Sequence, residues 1–369
     1  MDNAQCTMAG IYVHIPFCKS RCKYCDFYST TMLEKRKEYV EALLSEIKNE
    51  KLRIHHIATI YFGGGTPSLL EVEDLLKILE ILESLEHLES LEHLEITLEA
   101  NPGDLSLEKL RALRAIGINR LSIGIQSLED RLLTLIGRRH TAAQAEEVVR
   151  WAQEAGFDNI SVDLMYGLPT QTMADWQHSI AQVLKMGVQH ISCYCLSYEE
   201  GTALTMMLEA GQIDEIDEDT ENAMYDYLCE QLQANGFIHY EVSNFALIGR
   251  ESKHNSSYWN DTPYVGIGAG AHSYDGAIRS WNPNDLEAYI QGIQQGTLVR
   301  EQEVLTDEQK HEEAIMLGLR TAHGIKASLV DGRKAQRWIE QGLLRANNGQ
   351  LIATQKGIHI LNRIITDLL

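Results

Sequence analysis

Positive charge is scarce in this 369-residue chain: 32 Lys and Arg stand against 53 Asp and Glu, a formal net charge of −21. Nucleic-acid affinity comes largely from neutralising phosphates with Lys and Arg, so this balance argues against a nucleic-acid partner. Long apolar runs are missing too. None approaches the ~20 residues that a membrane-spanning helix needs, and no membrane span is expected. The start, MDNAQCTMAG, has no basic segment followed by an apolar run, so no secretory signal is read and a cytoplasmic location is expected. The seven cysteines are too few and too clustered for a disulfide scaffold. In a reducing compartment, clustered cysteines point instead to a metal or redox centre.

What is present is order. Short apolar strands are read at 11–15, 58–62, 93–102, 120–127, 159–169 and 190–199. Between them, segments with helical spacing run over 32–49, 71–92, 105–116, 141–155 and 173–186. Strands alternating with helices imply parallel pairing through right-handed crossovers, so the pattern predicts an α/β fold with a partial (β/α)6 barrel. Barrel chemistry sits at the C-terminal ends of the strands. The unusual polar residues recur there: Glu99, Gln126 and Asp163. The hexapeptide ESLEHL occurs at 83–88 and again at 89–94, and reads as a lengthened surface helix without function.

After about residue 235 the pattern changes. The organisation expected is a barrel domain over 1–235, a connecting region over 236–300 and a C-terminal α+β module over 301–369. GFIHYEVSNFA gives one more strand. Thr306 caps a helix with Gln309 three residues on, and LLRANNGQLIAT reads as a hairpin about Asn-Asn-Gly. Helix, helix, hairpin, helix is winged-helix-like, and the acidic balance favours a packing or regulatory role for it over DNA binding.

Cys18, Cys22 and Cys25 lie within eight residues, and Phe27 stands where a fourth cysteine could sit. Three thiolates can hold three irons of a 4Fe–4S cubane and leave the fourth open, whereas an electron-transfer cluster normally takes four cysteines. Zinc is the alternative, and it would want a fourth ligand such as His14 or Asp26. The GGGT run at 63–66 allows close backbone approach to a ligand, or is only a tight turn. Glu99, Gln126, Arg138 and Asp163 are groups suited to a zwitterionic nucleoside, each with a bland reading as a cap, turn or surface charge. Cys193 and Cys195 read as buried small hydrophobes, and the glycines of GIGAGAHS as aids to close packing.

The C-x-x-x-C-x-Tyr-C motif after a first strand, with GGGTP after a second, resembles the radical S-adenosylmethionine superfamily. Together IYVHIPFC, YFGGGTPS, LEANP, SIGIQS, RRH, DLMYGLP and EVSNFA resemble its coproporphyrinogen dehydrogenase branch over nearly the whole chain. The resemblance implies a 4Fe–4S cluster on Cys18, Cys22 and Cys25, with S-adenosylmethionine chelating the open iron. It assigns contacts to that molecule to Tyr12, Gly64, Gly65, Thr66, Glu99, Gln126, Arg138 and Asp163, and places Tyr24 beside the adenine. The dehydrogenase carries a fourth cysteine and a long N-terminal arm; Phe27 and about ten residues before the first strand depart from both. These departures are similar to a sister group, the HemW-type heme chaperones. His254-Asn255-Ser256-Ser257-Tyr258-Trp259 resembles the H-N-x-x-Y-W motif associated with heme there, with His254 as an imidazole ligand on a flexible segment.

The expected function is therefore heme binding and delivery to respiratory enzymes, with heme, heme-accepting respiratory proteins and a second copy of the chain as partners. The alternative is an oxygen-independent coproporphyrinogen oxidase of porphyrin biosynthesis.

Overall fold

The computed structural model describes residues 9–49, 57–84 and 91–369. Cys6 and half of the ESLEHL repeat lie outside the described residues. Six consecutive parallel strands form the centre: β1 Ala9–Ile15, β2 Ile57–Gly64, β3 Glu95–Ala100, β4 Arg120–Gln126, β5 Ile160–Tyr166 and β6 His190–Cys195. Each matches an expected strand to within a few residues. Helices Arg36–Asn49, Val72–Glu83, Leu107–Ala115, Ala142–Glu154 and Met173–Met186 cover the outer face. Alternate residues Val13, Ile60, Leu98, Leu121 and Val162 bury there in one core. Helix starts are locally determined: Thr141 with Gln144, Thr172 with Asp175 and Thr306 with Gln309 all form capping boxes.

The other face of these strands is polar. Thr59, Glu95, Thr97, Arg120, Ser161 and His190 are all buried on it. A purely parallel sheet normally reads as continuous hydrophobic runs, because both its faces are covered by apolar layers. Here the inner face lines the lumen of an open barrel instead.

The segment after residue 235 adds to this same sheet. β7 Ile238–Glu241 and β8 Asn244–Ala246 form an antiparallel hairpin on β6, so the single strand expected in GFIHYEVSNFA is in fact two. At the opposite edge β9 Tyr264–Ile267 pairs parallel to β1. β10 His272–Tyr274, β11 Ile278–Trp281 and β12 Glu301–Val304 continue outwards, antiparallel, to give twelve strands in all. The buried carboxylate of Glu46 fixes this extension. It accepts hydrogen bonds from Gly268 N (2.8 Å), Asn282 Nδ2 (2.7 Å), Tyr289 Oη (2.5 Å) and Arg300 Nη2 (2.7 Å). A carboxylate buried at this depth is tolerated because its oxygens are saturated with donors and one donor is cationic.

A second, smaller core unites Ile315, Leu319, Trp338, Leu351 and Ile364 in the C-terminal module. Its sheet is β13 Ile325–Lys326, β14 Leu344–Asn347 and β15 Gln350–Ala353. Asn348 and Gly349 both have positive φ, 48° and 80°, the two-residue turn that the Asn-Asn-Gly hairpin demands. The module docks on the β7 edge of the large sheet through Val242 N to Arg320 O (2.9 Å) and Ala322 N to Tyr240 O (3.0 Å). That pairing covers an otherwise open strand edge.

Candidate functional site

The C-terminal ends of β1 to β6 surround a cavity of about 420 Å³. Cys18, Cys22 and Cys25 line its mouth together with Tyr24 and Phe27, and Gly64, Gly65, Thr66, Glu99, Gln126, Arg138 and Asp163 line its interior. Ten residues assigned from sequence to cluster or nucleoside, from Cys18 to Asp163, plus Tyr24 thus meet in one place. The cysteine loop is anchored rather than loose: Cys18 N donates to Thr30 O (2.8 Å), and Lys23 N to Ile136 O (3.0 Å).

The donor set suits a cluster better than a single ion. Among the described residues no three His, Cys, Asp or Glu side chains converge closely enough to hold one metal ion. A cubane presents three irons at separate corners, so its thiolates need not meet at a point. The zinc alternative also loses a ligand. His14 Nε2 donates to the Tyr28 carbonyl (3.1 Å), which leaves Nδ1 to accept from the Tyr12 hydroxyl (3.0 Å). Burial pushes the Cys18 and Cys25 thiols above their ordinary value, so metal binding there releases protons.

Within the cavity the carboxylates are primed for a polar guest. Burial raises Glu99 to about 7, against the opposing pull of the Tyr61 hydroxyl (2.8 Å) and Gly64 N (3.1 Å), which both donate to it. Asp163 is raised for the same reason and accepts from Ser122 Oγ (3.2 Å). Arg138 donates to Cys22 Sγ (3.5 Å) and to the Gly124 carbonyl, while its buried Nε has no partner among the described residues. A guanidinium with a spare N–H beside two carboxylates fits a molecule bearing both a carboxylate and cationic or hydroxyl groups. Gln126 sits on the rim with φ 67°, where the β4–β5 register shifts. A non-glycine residue there costs roughly 1–3 kcal/mol, and such strain and bulges cluster at functional sites.

GGGT lines the cavity through Gly64, Gly65 and Thr66, and its backbone is also committed within the fold. Gly64 N and Gly65 N are both taken, by Glu99 and by the Ile15 carbonyl (2.9 Å). A Cβ on Gly65 would lie 2.7 Å from the Pro16 carbonyl carbon and oxygen. The glycine is needed so that β2 can pass beneath the root of the cysteine loop. Two expectations are not met. Tyr12 is absent from the cavity wall; its ring stacks with Tyr61 one layer deeper, at 6.1 Å between centroids. Cys195 is exposed, and only Cys193 is buried.

His254 needs the largest correction. It lies on a helix, Lys253–Tyr258, not on a flexible loop, and is 1% exposed. Both ring nitrogens are hydrogen-bonded, Nδ1 to Thr59 Oγ1 (2.7 Å) and Nε2 to Tyr258 Oη (2.9 Å). The imidazole stacks on Tyr61 at 4.9 Å, and burial pushes its pKa down to about 3. Glu95 accepts from Lys253 N and His254 N at the helix start (both 3.1 Å), an anion at the positive end of the helix. Packed this way, His254 closes the floor of the barrel and offers no free nitrogen to a metal.

Sequence reasoning missed Tyr61, which orients Glu99, and Arg120, buried below it with Nε and Nη1 unpaired. Strand alternation was the available signal, since Tyr61 shares a face with Gly63 and Arg120 with Ser122.

Comparison with known proteins gives the ancestry. The Radical SAM superfamily pattern matches residues 12–183. "Heme chaperone HemW" of Bacillus subtilis is 40% identical over 322 residues, 86% of this chain and 85% of that one. The protein of the same name from Lactococcus lactis is 37% identical over 97% of this chain and 96% of its own. The chain belongs to the HemW family. The fold of this HemW-family chain also matches the structure titled "Coproporphyrinogen III oxidase (HemN) from Escherichia coli is a Radical SAM enzyme". The TM-score is 0.82 at 22% identity, over 98% of this chain and 90% of that one. Membership of the radical SAM superfamily implies a 4Fe–4S cluster and S-adenosylmethionine, and the cavity's residues fit both. Among the described residues no helix is long and apolar enough to cross a membrane.

Proposed function

We propose that the chain is a cytoplasmic heme chaperone that binds heme and hands it to respiratory enzymes, built on a cofactor site it shares with radical enzymes. In this reading Cys18, Cys22 and Cys25 hold the cluster. Arg138 and Gln126 take the carboxylate and polar edge of S-adenosylmethionine, Glu99 and Asp163 receive its ammonium and ribose hydroxyls, and Tyr24 packs on its adenine. When bound, a 4Fe–4S cluster would supply an electron for cleaving a carbon–sulfur bond of that molecule. The residues' own work is to bind, orient and desolvate it: burial behind the cysteine loop strengthens every charge contact inside.

One observation carries the choice of chaperone over oxidase. Phe27 occupies the position two after Cys25 and points outwards, 69% exposed, at the cavity mouth. The oxidase reading keeps one supporting feature, the match of the whole fold to HemN. Incubating reduced, reconstituted protein with S-adenosylmethionine and coproporphyrinogen, and separately with heme, distinguishes them. Heme capture without decarboxylation is expected; turnover of coproporphyrinogen without heme binding reverses the assignment. Light scattering of the same samples tests the homodimer, and heme transfer to a respiratory oxidase tests the acceptor class.

A further inference from the structure

A second and larger cavity, about 800 Å³, opens on the other side of the molecule's main joint, between β7, the end of helix Lys253–Tyr258 and the C-terminal module. Its volume is near the top of the range of about 300–1,000 Å³ typical of small-molecule sites. The 420 Å³ strand-end cavity is half as large, and its walls are already committed to cluster and nucleoside. The walls of the larger one are mixed. Ile238, Leu317, Leu329 and the Trp259 indole give apolar surface, while Lys310, Lys326 and His323 give cationic and metal-binding heads.

The three polar heads are available. His323 is exposed, and its imidazole has no partner among the described residues; only its backbone N–H is used, donating to Thr321 Oγ1 (3.3 Å). Lys326 is exposed with no ion-pair partner among the described residues. Lys310 donates one N–H to the Gly276 carbonyl (2.8 Å) and keeps two. Four carboxylates also line the cleft: Glu313 is engaged by the Arg279 guanidinium (2.9 and 3.1 Å), Glu241 by Ser243 N (3.3 Å) and Asp261 by the Tyr274 hydroxyl, while Glu251 stands beside them. His323 is also held in place. It follows directly on the main-chain pairing of Ala322 with Tyr240, and precedes Gly324, φ 68°, where a Cβ would lie 2.0 Å from the Leu351 carbonyl oxygen. No side chain fits at 324, so the turn that presents His323 has little freedom.

We propose that heme is carried in this cleft, with His323 as the imidazole facing the iron, Lys310 and Lys326 receiving the propionates, and Trp259 against the ring. The proposal rests on the heme-chaperone reading above and deepens it. A planar apolar macrocycle with one metal and two carboxylates needs an apolar slot, one free imidazole and cations at one edge. The cleft is lined by apolar side chains, by an imidazole with no partner among the described residues and by two lysines. It also divides the HNSSYW segment by role: His254 and Tyr258 seal the barrel floor, while Trp259 faces the cargo.

The test is a titration of the full chain with ferric heme, followed at the Soret band, for the parent and for His323→Ala, Lys326→Glu and His254→Gln. His323→Ala should weaken binding by about tenfold or more and shift the Soret maximum, with unchanged melting temperature and cluster absorption. Lys326→Glu should weaken binding of heme but not of its dimethyl ester, whose propionates carry no charge. His254→Gln should bind heme like the parent. Parent-like heme binding by both His323→Ala and Lys326→Glu overturns the cleft while leaving the chaperone reading intact. A parent that binds no heme overturns both. Loss of the Soret shift only in His254→Gln, with its fold preserved, returns the ligand to the barrel floor.

Discussion

The strand-end cavity and the barrel floor are built from the same strands, three to five residues apart, and they treat polar groups in opposite ways. At the top, Arg138 Nε has no hydrogen-bond partner among the described residues, burial raises Glu99 to about 7 and three thiols line one cavity. At the floor, His254, Thr59, Tyr258 and Glu95 satisfy one another. Unsatisfied buried polar groups are costly, so several of them lining one cavity mark a place that a ligand can complete, and Arg120, with Nε and Nη1 lacking partners among the described residues, lies between the two layers. A histidine in a motif is therefore judged by what its two nitrogens already do.

The comparison breaks most sharply at the cysteine loop. Replacing Cys18, Cys22 or Cys25 by alanine should abolish the iron–sulfur absorption after anaerobic reconstitution, because three ligands are already minimal. A full iron complement in any of these variants, measured by metal analysis, would disprove the ligand set. Next comes Gly65→Val. Its Cβ meets the Pro16 backbone, so the loop must move, and the expected loss is about 1–3 kcal/mol of stability together with cluster content. Denaturant melts with an intact cluster would instead return the GGGT run to a purely ligand-facing role.

The floor is probed by His254→Gln. With its folded pKa near 3 and an unfolded value near 6.5, this imidazole binds fewer protons in the native state throughout that window. Its contribution is fully present above pH 6.5 and is lost as pH falls towards 3, at up to about 1.4 kcal/mol per pH unit. The variant should therefore lose stability less steeply than the parent on acidification, although it is less stable at pH 7. Parallel stability–pH curves would mean the imidazole is not buried neutral.

The smallest effect is expected at Glu99. Since burial raises it to about 7, its charged form, and with it affinity for a cationic guest, should decline as pH drops through 7. The slope should approach about tenfold per pH unit below that point and vanish in Glu99→Gln. Calorimetric titration with S-adenosylmethionine between pH 6 and 8 reads both.

Much of the barrel was legible because its signals are local. Period-two apolar strands, helical spacing between them and threonine caps depend only on near neighbours, and all six central strands and four of the five covering helices lie where expected; the helix expected over 71–92 ends at Glu83. The hairpin β7–β8 and the parallel strand β9 were not, since three- and four-residue strands give too short a pattern to read. The cavity's membership was legible for a related reason. In a parallel α/β barrel, position at a strand's end fixes position in space, so Glu99, Gln126 and Asp163 could be grouped without coordinates.

By itself, then, the sequence determined which residues lie at the strand ends and that three thiols share one loop, because chain connectivity and strand period leave no other arrangement. Only the tertiary structure decided the rest. Tyr12 stacks beneath the cavity, and a Cβ on Gly65 would meet the Pro16 backbone. His254 is spent on Thr59, 195 residues away, while His323 stands free beside a cleft that the module and β7 form only on docking. Side-chain availability is a property of neighbours brought together by packing, and no spacing along the chain encodes it.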